Sequence, residues 1–198
     1  MSATIEAPLP PRIEEQHVLL EGIPWERFEQ LSACFDDSRA VRLTYIDGSV
    51  EIMSPIGEEH EALKSSIGCL LETWLDVKGI RFYRRGGFTL RQPGRAAGEP
   101  DESYCIGSNK AVPDLVIEVV VTAEALSKLP LYRAKGVSEV WIWKDGTLAI
   151  HALEQGGYVA TRDSRLFPDL DCALLAGFVT MPDQYDAVRA FRGALQSP

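Results

Sequence analysis

An α/β sandwich with a mixed sheet is the fold the sequence predicts, and three observations predict it. Asp47-Gly48 and Asp145-Gly146 each stand between runs of β-branched and aromatic residues, the strongest short-range signal for an antiparallel hairpin. Residues 58–78 place Leu63, Ile67, Leu70, Leu71, Trp74 and Leu75 on one helical stripe. The run PDLVIEVVVT at 113–122 is apolar on both faces apart from Glu118, as expected of a strand covered from both sides. Read from end to end, the element order is αββ-α-βββ-α-ββ(β)-α, and strands alternating with helices pack as layers around a sheet.

Each element has a local cause. Pro8, Pro10 and Pro11 among Glu6, Glu14 and Glu15 make residues 1–18 a flexible arm, with 19–198 as one domain. Pro24 opens a short helix in which Trp25, Phe28, Leu31 and Cys34 share a face. In the 58–78 helix, Glu58, Glu59 and Glu61 complement the positive end of the dipole, and Gly79 stops it. RFYRRGGFTLRQPGR at 81–95 reads as a strand pair or bent strand, with Gly86-Gly87 as a bulge and Pro93-Gly94 as a turn. Pro130 is tolerated in a helix only in its first turn, which places the N-cap of the next helix at Ser127 and leaves 122–126 as a connecting turn; Gly136 ends that helix. The strand GGYVATR and the helix PDQYDAVRAFRGAL complete the chain.

Composition bounds the function. At 198 residues, 45% apolar and 25% charged, the chain is no collagen, disordered tail or disulfide scaffold. A net charge of −9 excludes a protein that coats nucleic acid or anionic membrane by bulk charge. Cys34, Cys69, Cys105 and Cys172 lack zinc-ligand spacing and read as buried small hydrophobes. The N-terminal residues show no secretory pattern and no stretch suits a membrane span, so the expected setting is the cytoplasm, with no membrane partner.

The chemistry concentrates on a few charges. Glu118 stands among mostly β-branched neighbours, and a buried carboxylate needs a cation, a hydrogen-bond network or a proton. Asp101 follows Pro100 on the preceding strand, and Lys128 opens the following helix. Two carboxylates on neighbouring strands beside a lysine suit metal-assisted phosphodiester hydrolysis: oxygen ligands hold a hard cation, and the ammonium positions the attacking water. His60, in line with Ile67 and Leu71, faces inward. Asp114 is about 13 Å along the strand from Glu118, too far to share an ion, and Glu102 points to the opposite face, where it is expected to be solvated. Glu59 and Glu61 read more simply as dipole complements, with one of them a candidate third carboxylate.

Pro100-Asp101, Glu118 within an apolar strand, and a following lysine resemble the PD-(D/E)xK nuclease superfamily. More narrowly, SPIGEEHE, PDESYCI, PDLVIEVV, Lys128-x-x-x-Tyr132 and GVSEVWIW resemble the Uma-type restriction endonuclease family over about residues 20–180. The resemblance implies a restriction-endonuclease-like αβββαβ core, with the N-terminal helix and hairpin added to it. It also implies Mg²⁺ (or Mn²⁺) on Asp101 and Glu118, helped by the Val119 carbonyl, and His60 supporting the site. The superfamily pattern places a lysine two residues after the glutamate; Val120 stands there, and Lys128 is the residue in the matching place.

Arg81, Arg84, Arg85, Arg91 and Arg95 fall in one acid-free segment interleaved with Phe82, Tyr83 and Phe88, a candidate surface for DNA phosphates. The same arginines equally suit an outward strand that offsets the acidic remainder. The leading expectation is therefore a Mg²⁺-dependent DNA endonuclease. A non-catalytic module for binding or dimerisation, in which Glu118 merely pairs with Lys128, and a hydrolase of small phosphoesters stay open beside it. Cutting both strands favours a homodimer, for which the apolar VWIWK strand is a candidate surface.

Overall fold

The computed structural model describes residues 16–35, 38, 41–54, 57–120 and 127–196; residues 1–15 of the expected arm and the 122–126 connection lie outside them. In chain order the elements are β1 (Gln16–Leu20), α1 (Trp25–Ala33), β2 (Arg42–Ile46), β3 (Ser49–Ser54), α2 (Glu58–Val77), β4 (Phe82–Arg84), β5 (Leu90–Gln92), β6 (Ala96–Gly98), β7 (Glu102–Ile106) and β8 (Leu115–Val120). They continue with α3 (Leu129–Lys135), β9 (Glu139–Lys144), β10 (Thr147–Glu154), β11 (Gly157–Thr161), α4 (Cys172–Val179) and α5 (Gln184–Gln196). Both Asp-Gly pairs turn as their chemistry requires. Asp47 and Asp145 take φ of 42° and 50°, and Gly48 and Gly146 take 97° and 75°, the doubly left-handed turn that matches strand twist.

The strands form two sheets. One has five strands in the order β1-β3-β2-β6-β5; the other has six in the order β11-β10-β9-β8-β7-β4. Only β8 and β9 run parallel among the described pairs, so the larger sheet is mixed, in agreement with the predicted α/β class and the restriction-endonuclease-like core. Alternation along β8 and β9 sorts its faces. Ile117, Val119, Trp141 and Trp143 pack with Ile67, Leu71 and Trp74 of α2, Leu175 of α4 and Phe191 of α5. Val116 and Val140 face the other way, against Leu131 and Tyr132 of α3 and against Leu90 and Ala96 of the smaller sheet. That sheet buries its far side under α1 through Phe28, Tyr45 and Val50. The space between the two sheets, beside α3, is where Glu118 points.

Several details depart from the sequence reading. Residues 81–95 are neither a strand pair nor a bulged strand: β4 pairs with β7 in the larger sheet and β5 with β6 in the smaller. Gly86 and Gly87 form the corner between the sheets. Gly86 has φ 61°, and a Cβ on Gly87 would lie 2.9 Å from the Pro100 carbonyl oxygen. The N-cap of α3 is Lys128, one residue beyond Ser127, with Pro130 still in the first turn and Gly136 closing the helix at φ 73°. Strand β1 takes in Gln16, His17 and Val18 from the segment assigned to the arm and pairs with β3. VWIWK lies inside the sheet between β8 and β10, with Val140, Trp141 and Trp143 buried, so it offers no dimer surface. Cys105 and Cys172 are buried, whereas Cys34 is exposed.

Candidate functional site

The pairing of β7 with β8 sets Glu102 opposite Ile117, so one step beyond the end of β7 places Asp101 opposite Glu118. Both carboxylates are buried, at 3% and 8% exposure. They line a cavity of about 190 Å³ together with Glu51 and Met53 of β3, Lys128, Tyr132 and the ends of β8 and β9. The structure thus brings together Asp101, Glu118 and Lys128 as the sequence predicted.

Each carboxylate has its own set of partners. Asp101 forms an ion pair with Arg42 through Oδ1. Its Oδ2 accepts from the Val119 N–H at 2.8 Å and lies 3.2 Å from His60 Nε2. Burial opposes its ionisation, but the His60 hydrogen bond and the charges of Lys128 and Arg42 outweigh burial and hold the carboxyl well below the usual carboxylate range. Glu118 Oε2 meets Lys128 Nζ at 2.7 Å, and Oε1 accepts from the Tyr132 hydroxyl. Burial is the larger influence here, and the neighbouring Asp101 charge adds to it, so Glu118 is pushed up to about 7 in spite of Lys128. Burial also works against the charge on Lys128, yet the Glu118 and Asp101 charges prevail and raise its pKa, so it stays an ammonium; it also donates to the Glu99 carbonyl at 2.7 Å. The two carboxylates, opposite each other on paired strands, are therefore shifted in opposite directions, Asp101 towards the ionised form and Glu118 towards the protonated one.

His60 faces inward from the first turn of α2, 2% exposed, and supports Asp101 as expected. Val119 lines the cavity, and its N–H, donated to Asp101, positions the aspartate. Glu102 is a correction. It is buried at 3% and forms an ion pair with Arg84, at 2.9 Å from Arg84 Nε, because Arg84 on β4 lies beside it in the sheet. Asp114 accepts from the Ile106 N–H at 2.7 Å, fixing a strand entry. Glu59 and Glu61 do not line the cavity; the third carboxylate around it is Glu51, whose side chain lies 3.0 Å from His17 Nδ1. Among the described residues no three of His, Cys, Asp and Glu stand close enough to hold a metal by themselves.

The five arginines do not act as one surface. Arg84 is taken up by Glu102, and Glu72 lies 3.7 Å away. Arg85 donates to the Lys110 carbonyl and stacks over Phe88 at 4.9 Å. Arg91 and Arg95 belong to the smaller sheet, where they reach Ser32 and Asp47 and stay exposed. Arg95 and Arg133 line a larger groove of about 620 Å³ on the other side of residues 127–129, but Asp47 is its sole described carboxylate. The facing carboxylates Asp101 and Glu118 line the smaller cavity.

Sequence spacing did not reveal Arg42, Glu51 or Tyr132 as parts of the cavity's surroundings. For Glu51 the signal was the one that exposed Glu118, a lone acid in a β-patterned run; Tyr132 lies four residues from Lys128, on the same helix face.

The profile of the Uma2 family, described as "Putative restriction endonuclease", matches residues 25–180. The chain belongs to the Uma2 family. The matched span runs from α1 to the end of α4 and includes every residue of the cavity, and the family's description suggests a nuclease. No curated protein matches the chain. No described helix of this Uma2 chain is long and apolar enough to cross a membrane.

Proposed function

We propose that the protein is a metal-dependent DNA endonuclease that hydrolyses phosphodiester bonds by attack of an activated water. The observation that carries this reading is the convergence of Asp101 and Glu118, with opposite pKa shifts, on one cavity beside Lys128. The donor set suits Mg²⁺. It offers hard oxygen ligands from two carboxylates, and Mg²⁺ is commonly held by one or two carboxylates, waters and substrate phosphate and needs no full protein cage. Asp101 and Glu118 would hold the ion, which when bound would polarise the phosphate and acidify a water.

The chain's own residues have distinct tasks in this reading. Arg42, His60 and the Val119 N–H keep Asp101 ionised and fixed in direction. Glu118, fixed by Lys128 at Oε2 and by the Tyr132 hydroxyl at Oε1, presents its carboxylate beside Asp101 as the second oxygen ligand. Lys128 uses two of its three N–H donors on Glu118 and the Glu99 carbonyl, which leaves one to orient the attacking water. The exposed Arg81 and Arg91 are available to DNA phosphates, Arg95 only in exchange for Asp47, and with −9 overall the hold on DNA is weak and salt-sensitive. Cutting a duplex through both strands takes two such sites, hence a homodimer.

A second reading is favoured by one observation: Arg42 and Lys128 already neutralise both carboxylates, which suits a non-catalytic binding module. Incubation with plasmid and oligonucleotide DNA in Mg²⁺ or Mn²⁺ separates the two. Cleavage by wild type that is lost in Asp101→Ala, Glu118→Ala and Lys128→Ala supports the nuclease; wild type no more active than the variants leaves the binding module.

A further inference from the structure

Lys128 is a committed cation. Its ammonium is buried against Glu118 and the Glu99 carbonyl, so its position is set by the protein before any substrate arrives. A second lysine lines the same cavity. Lys144 ends β9, and the parallel pairing of β8 with β9 sets Glu118 beside Ile142 and Val120 beside Lys144. Residues two apart on a strand share a face, so Lys144 projects to the side of the sheet occupied by Glu118. From the strand spacing and rise, its Cα lies about 8 Å from that of Glu118, within reach of an extended lysine stem. Unlike Lys128, Lys144 is exposed, and it forms no ion pair or side-chain hydrogen bond with a described residue.

We infer that Lys144 is the substrate-facing cation of this cavity and contacts a non-bridging oxygen of the phosphodiester placed there for hydrolysis. The inference rests on the nuclease reading and adds a residue to it. The division of labour follows from burial. An ammonium already held by a carboxylate and a carbonyl is a poor ligand for an incoming anion, whereas an exposed ammonium on a flexible stem sheds only water when it meets a phosphate. The monoanionic phosphodiester would otherwise be repelled by the Asp101 and Glu118 carboxylates, and Lys144 is an exposed cation of the cavity lining placed to offset that repulsion.

The test uses the full chain and a short fluorescein-labelled DNA duplex. Binding is followed by anisotropy in Ca²⁺ over a series of KCl concentrations, and cleavage kinetics are followed in Mg²⁺. Lys144→Ala should weaken binding roughly tenfold, the range of one charged hydrogen bond. It should also lower the slope of log affinity against log salt by about 0.9, the signature of one lost phosphate contact. KM should rise while kcat changes little, since the contact forms in ground and transition states alike. Lys144→Arg should recover most of the affinity, and Lys135→Ala, away from the cavity, should behave as wild type. Thermal melting should be the same for all. Wild-type affinity and salt slope in Lys144→Ala would overturn the inference while leaving the nuclease reading intact. A wild-type protein that neither binds nor cuts the duplex would overturn the nuclease reading, and this inference with it.

Discussion

Replacing Glu118 with glutamine should stabilise the protein above neutral pH. Glu118 is buried, and burial together with the Asp101 charge pushes its pKa up to about 7 from the ordinary glutamate value of 4.5. The folded state therefore favours the neutral carboxyl. The stability this confers is fully present below the unfolded pKa and is lost as pH rises through about 7, where the folded carboxyl finally ionises. A difference of this size corresponds to about 3 kcal/mol, an upper bound for a group coupled to Lys128. Glu118→Gln keeps the shape, leaves the amide oxygen to accept from Lys128 and places an NH₂ near Tyr132. After allowing for a weaker partner for Lys128, a net gain of about 2 kcal/mol is expected at pH 8, a rise in melting temperature of about 4–8 °C for a chain of this size. Thermal melts in EDTA from pH 5 to pH 8 are the assay. The wild type should lose stability relative to Glu118→Gln across that range, and the two should converge at its acidic end. A variant less stable than wild type at pH 8, or one with an unchanged pH slope, would refute the reasoning and make Glu118 a structural ion-pair partner.

Two further outcomes follow from the same geometry. Asp101, held below the usual carboxylate range, contributes stability that is present above pH ~4 and lost as pH falls further, so Asp101→Asn should flatten the acid limb of the melting curve below pH ~4 and melt lower than wild type at pH 7. Gly87→Ala would set a Cβ 2.9 Å from the Pro100 carbonyl oxygen and must move the backbone that presents Asp101. A cost of about 1–3 kcal/mol and loss of cleavage are expected, whereas Gly156→Ala, with open space around its Cβ, should keep wild-type melting and cleavage.

What could be read from the sequence was whatever local chemistry determines. Both hairpins were legible because Asp-Gly is among the few pairs that accept two left-handed residues in succession, and α2 because its stripe continues over many turns. Strand β1 carries no alternation and lies almost wholly exposed, β6 consists of small residues, and α4, CALLAGFV, is apolar all round and leaves helix and strand undistinguished. Between the strands of the two sheets Gly87 passes so close to Pro100 that a Cβ would lie 2.9 Å from its carbonyl oxygen, a tertiary contact no window displays. At the site, Glu118 was legible as an acid in an apolar run and His60 as a polar group on an inward helical face, whereas Asp101 and Lys128 were legible from their places beside Glu118, after Pro100 on the preceding strand and at the start of the following helix. Arg42, Glu51 and Lys144 reach the same region only through strand pairing, and the solvation expected of Glu102 failed because its partner, Arg84, lies eighteen residues earlier on a neighbouring strand.

The central claim is that Asp101 and Glu118 support metal-dependent cleavage of DNA. Its most direct test is plasmid nicking as a function of Mg²⁺ concentration, with EDTA as the blank, for wild type and Glu118→Ala of verified fold. The account predicts saturable, Mg²⁺-dependent nicking by wild type and none above the blank for the variant. Equal nicking by both proteins, or nicking by wild type that persists in EDTA, would contradict it.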